Sequence, residues 1–198
     1  MRQITLGRTG LSVCETGFGA LPIQRISRED AAGLLRYARE QGVNFFDTAR
    51  GYTDSEEKLG YAFSGAREGI YLATKSMARS RSAALAELDT SLSLLKTDHV
   101  DLWQLHCLPE LPDPNDPESA YAALLEARRA GKTRFIGMTA HRLDVALAAA
   151  ESGLYDTIQF PLNYLSTPEE LKLIHLCREK NIGLIAMKGM SGGLISSP

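Results

Sequence analysis

Seven short apolar runs alternate with six segments of helical spacing, at intervals of roughly 30 residues, and this rhythm limits the fold more than any other feature. The runs fall at residues 16–20, 43–47, 70–74, 100–105, 135–139, 157–160 and 182–187. Between them, helices are expected at 27–42, 55–63, 82–95, 117–130, 143–152 and 168–180. Ser27, with Asp30 three residues on, reads as an N-cap, and Gly42 as a stop. Several runs are apolar almost throughout, as strands of a parallel sheet covered on both faces must be. The pattern predicts an α/β fold, either an open doubly wound sheet or an incomplete (β/α)8 barrel of the TIM type. Ahead of it, residues 2–6 and 11–14 flank Gly7-Arg8-Thr9-Gly10 and predict a β-hairpin that covers part of the domain. Gly17-Phe18-Gly19 lacks the third glycine and the helix that a dinucleotide fingerprint needs.

Polar residues interrupt the apolar runs at their carboxyl ends. Asp47 ends the second run, with Tyr52 five residues later, Lys75 follows the third, and His106 follows the fourth. Each has an ordinary reading: Asp47 can brace a loop, Tyr52 can pack, Lys75 can be solvated, and His106 can be a satisfied structural histidine. Four such groups from three consecutive strand ends point to one reactive face, the face on which barrel enzymes carry their chemistry.

The balance of 22 basic and 24 acidic residues, net charge −2, gives no basic block for nucleic acid or an anionic membrane. No apolar run approaches the roughly 18 residues of a membrane span, and the start lacks a signal-peptide core, so the chain reads as cytoplasmic. Cys14, Cys107 and Cys177 are too widely spaced for a zinc or iron–sulfur site. Small molecules are the expected partners.

The segments Phe46-Asp-Thr-Ala-Arg-Gly-Tyr52, Ser55-Glu-Glu-Lys-Leu-Gly60, Ala73-Thr-Lys75 and Asp101-Leu-Trp-Gln-Leu-His106 resemble those of the aldo-keto reductase family. The similarity runs from the hairpin 6–11 to the end of the chain. It implies a barrel without a Rossmann domain, NADPH bound in extended form with NADH left open, and a tetrad whose tyrosine donates the proton. Tyr52 would be the general acid, Lys75 the cation that stabilises its phenolate, Asp47 the carboxylate that orients Lys75, and His106 the group that polarises the carbonyl.

On the cofactor side, Thr139 matches a serine that contacts the nicotinamide amide, while Ala140 stands where the family has asparagine. His141 either compensates or caps the next helix. Gln159 matches a glutamine that binds the same amide. Met187 takes the place of a stacking aromatic, and Lys188, Gly189, Gly192 and Gly193 fit a pyrophosphate loop. The Gly-Met-Thr-Ala-His and Ala-Met-Lys stretches are most similar to the branch that carries a C-terminal iron–sulfur segment, which is not found here.

The expectation is therefore a single domain over residues 1–198 that lacks the last barrel strand and its helices. Such a sheet has open edges, which an oligomer or second chain would cover. The leading function is reduction of aldehydes or ketones. A weakly active or inactive binding module, and a Schiff-base aldolase using Lys75, are the alternatives. Residues 18–23 and 108–117 are the expected pocket walls and suggest an apolar carbonyl substrate.

Overall fold

The structure is a computed structural model and describes residues 1–191; Gly192 and Gly193 lie outside the described residues. The hairpin pairs β1 (Gln3–Thr5) with β2 (Ser12–Cys14). The main sheet contains β3 (Phe18–Gly19), β4 (Phe45–Asp47), β5 (Tyr71–Ser76), β6 (Val100–Leu105), β7 (Thr133–Thr139), β8 (Thr157–Pro161) and β9 (Gly183–Met187). These seven strands neighbour one another in chain order, with no reversal. A doubly wound sheet reverses its order at a switch point, so the sequential order selects the barrel-type arrangement. The helices are α1 (Arg28–Glu40), α2 (Ser55–Phe63), α3 (Arg81–Leu95), α4 (Ala120–Arg129), α5 (Leu143–Ser152) and α6 (Pro168–Glu179).

The chain divides into two compact units. The first comprises residues 1–4, 12–105 and 112–136, and holds β3 to β6 with α1 to α4. Its strand registers place Asp47 beside Ala73 and Lys75 beside Gln104. Because side chains alternate along a strand, Asp47, Ala73, Lys75, Leu102 and Gln104 share one face. Phe46, Leu72, Thr74 and Trp103 take the other, where Phe46 meets Phe63 of α2 edge-on at 4.8 Å. Trp103 is fully buried and is core rather than pocket wall.

Helix ends follow local chemistry. The Ser27 side chain accepts from the Asp30 backbone N–H at 3.0 Å, as the spacing predicts. In contrast, α4 starts at Ala120 rather than at residue 117, because Ser119 supplies the cap by accepting from Ala122 N–H at 3.2 Å. Asp116 holds residues 116–119, just ahead of α4, in a turn by accepting from Glu118 N–H at 2.9 Å. Close approach fixes Gly60 in α2: a Cβ there would lie 2.1 Å from the Leu94 carbonyl oxygen.

The second unit comprises residues 5–11, 106–111 and 137 onward. Its hairpin tip packs on the amino end of β9, where a Cβ on Gly7 would lie 2.2 Å from Gly183 N. Arg8 donates to the carbonyls of Lys180 (2.7 Å), Gly153 (3.3 Å) and Asn181 (3.4 Å). The covering role expected of the hairpin is thus carried by one arginine satisfying carbonyls at the ends of α5 and α6. Thr167 and Glu170 close a reciprocal capping box at the start of α6, with Pro168 in the first turn. No helix among the described residues is long and apolar enough to cross a membrane.

Candidate active site

Two groups of the expected residues are described, one in each unit. In the first, Lys75 lies within β5, whereas the sequence suggested that the strand stops at Thr74. Its register beside Gln104 extends pairing through the lysine. Lys75 is 1% exposed and Asp47, the last residue of β4, is 9% exposed. The Lys75 ammonium donates to Asp47 Oδ2 at 2.7 Å and to the Thr48 carbonyl at 2.6 Å, and Gln104 Nε2 lies 3.4 Å from Asp47 Oδ1. An ion pair this buried survives only with such extra bonds, since desolvation otherwise outweighs attraction. The Lys75 nitrogen is 5.1 Å from the centre of the Tyr52 ring. Asp47, Tyr52 and Lys75 are therefore brought together.

Tyr52 sits on the loop between β4 and α2, and backbone bonds fasten this loop to β5. Thr48 N–H donates to Ala73 O and Arg50 N–H to Lys75 O, both at 2.9 Å. Tyr52 N–H donates to Ala49 O at 3.0 Å, closing a turn. Ser55 Oγ lies 2.9 Å from both Thr48 Oγ1 and the Ala20 carbonyl. Lys58 straps residues 23–26 by donating to the Ile23 and Ile26 carbonyls at 3.1 and 2.8 Å, and pairs with Asp54 at 2.8 Å. The Ser-Glu-Glu-Lys-Leu-Gly segment is thus the frame of the loop. Among the expected wall residues, Phe18, Gly19, Pro22 and Ile23 line an apolar cleft of about 360 Å³ with Ile26 and Leu34.

In the second unit, His106 directly follows β6. Thr139 is buried at the end of β7, and its hydroxyl accepts from Cys107 N–H at 2.8 Å. Its own O–H remains a donor, so that hydroxyl can serve both the loop and a ligand. Gln159 is buried on β8 beside Thr139 and Ile185. His141 does not cap α5, whose N-cap position is Arg142; its Nδ1 lies 3.6 Å from Cys107 Sγ instead. Burial, and then the Lys188 ammonium, lower the His141 pKa below its ordinary value. Met187 ends β9, and the exposed Lys188 has a left-handed φ of 59°. The Lys188 carbonyl accepts from Ser191 N–H at 2.7 Å and from Asn163 Nδ2 at 3.3 Å, shaping a turn that includes Gly189.

Sequence reasoning missed Gln104, Thr48, Ser55 and Glu56 as parts of this architecture. Glu56 is 1% exposed and binds both Thr74 Oγ1, at 2.6 Å, and the Arg50 guanidinium. Its position in the first turn of α2 signals only a favourable helix-dipole charge.

The aldo/keto reductase family model matches residues 15–197. L-galactose dehydrogenase of Arabidopsis thaliana is 31% identical over 96% of this chain and 66% of its own length. Aldo-keto reductase YhdN of Bacillus subtilis is 26% identical over 99% of this chain and 64% of its own length. The chain thus spans about two thirds of the length of these curated relatives. An aldo-keto reductase of Bacillus halodurans, in its holo form, superposes with a TM-score of 0.82 at 27% identity, over 94% of this chain and 65% of that one. An aldo-keto reductase of Klebsiella pneumoniae in complex with NADPH superposes with a TM-score of 0.83 at 22% identity, over 100% of this chain and 72% of that one, a likeness of fold. With the family model covering most of its length, this chain belongs to the aldo/keto reductase family.

Proposed function

We propose that the chain carries the reaction groups of an NADPH-dependent carbonyl reductase. The observation that carries this reading is the buried Lys75–Asp47 pair with its ammonium beside the Tyr52 ring. Hydride delivery to a carbonyl carbon leaves a negative oxygen, which must receive a proton as it forms. Tyr52 supplies that proton. Lys75 stabilises the phenolate left behind, and Asp47 fixes the ammonium in place. His106, following β6, orients and polarises the carbonyl.

NADP(H), the ligand of the Klebsiella relative, supplies the hydride when bound. Thr139, Gln159 and His141 offer hydrogen-bonding groups for its nicotinamide amide, and Met187 an apolar surface for its ring. Lys188 and Gly189, with Gly192 and Gly193, suit its phosphates. The Schiff-base alternative needs a neutral Lys75 amine that can reach a substrate. A lysine 1% exposed and committed to a carboxylate and a carbonyl does not favour that chemistry.

NADPH titration of the chain, followed by a screen of aldehydes and ketones, tests the reading. Tyr52→Phe is expected to lower turnover by roughly 10²–10⁴-fold with cofactor affinity nearly unchanged. Undiminished turnover in that variant would overturn the assignment.

A further inference from the structure

Glu56 is a buried carboxylate that none of the proposed chemical steps uses. Its two oxygens close a ring through the site's scaffold. One accepts from Thr74, the residue before Lys75 on β5, and the other from Arg50, two residues before Tyr52. The ring is completed where Arg50 N–H donates to the Lys75 carbonyl at 2.9 Å. Arg50 also donates to the Thr53 carbonyl at 3.3 Å, on the far side of Tyr52. Thr74 and Lys75 point to opposite faces of the strand, so Glu56 grips β5 from the helix side while Lys75 acts on the other.

We infer that Glu56 is a positioning residue: with Arg50 and Thr74 it fixes the Tyr52 loop on β5 and cancels the charge of Arg50, leaving the Lys75–Asp47 pair to set the field at Tyr52. This rests on the reading of Tyr52 as proton donor only for its catalytic meaning. The coupling itself belongs to the protein without cofactor. Among the described residues, the ion pairs carried by β4, β5, the Tyr52 loop and the start of α2 are Lys75–Asp47, Arg50–Glu56 and Lys58–Asp54. Asp54 and Lys58 neutralise one another, and Asp47 balances Lys75. Arg50 and Glu56 form the third pair, and removal of either member leaves a net charge on the segment that holds Tyr52.

The sign of the effect is fixed by electrostatics. Removing the Glu56 charge leaves an uncompensated guanidinium near the phenol and favours phenolate. Removing the Arg50 charge leaves an uncompensated carboxylate and disfavours it. As a scale, one unit charge acting over roughly 10 Å at an effective dielectric constant of about 20 shifts a titration by about one pH unit.

The test is a pH titration of tyrosines labelled with ¹³C at Cζ, in the full chain without cofactor, with Tyr52→Phe used to assign the Tyr52 signal. Glu56→Gln is expected to lower the Tyr52 midpoint, Arg50→Met to raise it, and the double variant to return it close to wild type. A structural role alone gives no opposite signs and no recovery in the double variant. If Glu56→Gln does not fold, the upward shift in Arg50→Met still decides. An unmoved midpoint in the folded variants overturns the inference. Because this readout needs no turnover, it fails or succeeds separately from the reductase reading, which rests on the activity of Tyr52→Phe.

Discussion

Asp101 and Asp47 are both buried carboxylates on the parallel strands that flank β5, one near the amino end of β6 and the other at the carboxyl end of β4, yet they are partnered differently. Asp101, 2% exposed, accepts from Arg67 at 2.9 Å, Arg134 at 2.7 Å and the Leu72 backbone N–H at 2.9 Å. Asp47 has a lysine. Arginine offers a rigid fork of donors that several acceptors can share, whereas lysine presents one compact point charge. The amino end is tied by fixed charges that lock three strands together. The carboxyl end carries a single charge pair beside the Tyr52 ring. The same division recurs in the second unit, where Arg8 binds three carbonyls below β9 while His141 and Lys188 lie at the other ends of the strands.

This contrast breaks most visibly at Asp101. Asp101→Ala leaves the buried Leu72 N–H without its acceptor and takes a shared carboxylate from Arg67, which keeps the Ile70 and His99 carbonyls, and from the half-exposed Arg134, a loss of about 3 kcal/mol. For a chain of this size that lowers the melting temperature by roughly 10 °C, measurable by circular dichroism. A melting temperature within a degree or two of wild type would mean that the amino end is not the structural end.

The matching change at the carboxyl end separates activity from stability. In the double variant Asp47→Asn/Lys75→Met both charges leave together, and replacement of a whole buried pair is often close to neutral. Melting is expected within a few degrees of wild type, while carbonyl reduction falls by at least roughly 10²-fold. Parallel losses of stability and activity would make this pair as structural as Asp101.

How far these roles could be read beforehand follows from the same division. Apolar runs in a parallel sheet make a polar residue at a strand end conspicuous, which makes Asp47, Lys75 and His106 legible, and the alternating pattern gives an α/β fold with a parallel sheet. Only the sheet order excluded the doubly wound alternative. Gln104 was hidden because it lies between Trp103 and Leu105 inside an apolar strand, and its meaning comes from its register with Lys75. Glu56 and Thr74 are 18 residues apart and meet only after α2 docks on β5. Asp101 near a strand start resembles any solvated end residue until Arg67 and Arg134 arrive from distant segments. The start of α4 was misplaced because Pro117 and Ser119 are both good initiators, and the Asp116 turn chose the second.

Arg8 gives a smaller test of the amino end. Its guanidinium is exposed, so water offsets part of the loss of its three bonds in Arg8→Ala, and the backbone bond from Arg8 N–H to Asn181 O, 2.7 Å, remains. A cost of about 1 kcal/mol is expected from urea unfolding, with turnover unaffected. A change in turnover without a change in stability would place Arg8 in the functional class.

The smallest expected effect lies at His141. Burial is the larger cause of its lowered pKa and the Lys188 ammonium the smaller, so Lys188→Ala moves its titration up but leaves it below the ordinary value of 6.5. Because the fold prefers the neutral imidazole, the unfolded chain takes up the proton first as pH falls. The stabilising contribution is complete above about pH 6.5 and is lost as pH falls through the lowered pKa of the folded state. Lys188→Ala should therefore soften the acid-side loss of stability and leave stability at neutral pH unchanged. The His141 imidazole resonances followed by NMR at low ionic strength give the direction directly, and added salt should shrink the difference between wild type and variant. A downward or absent shift would remove Lys188 from the surroundings of His141 and weaken the case that this carboxyl end gathers positive charge for an anionic ligand.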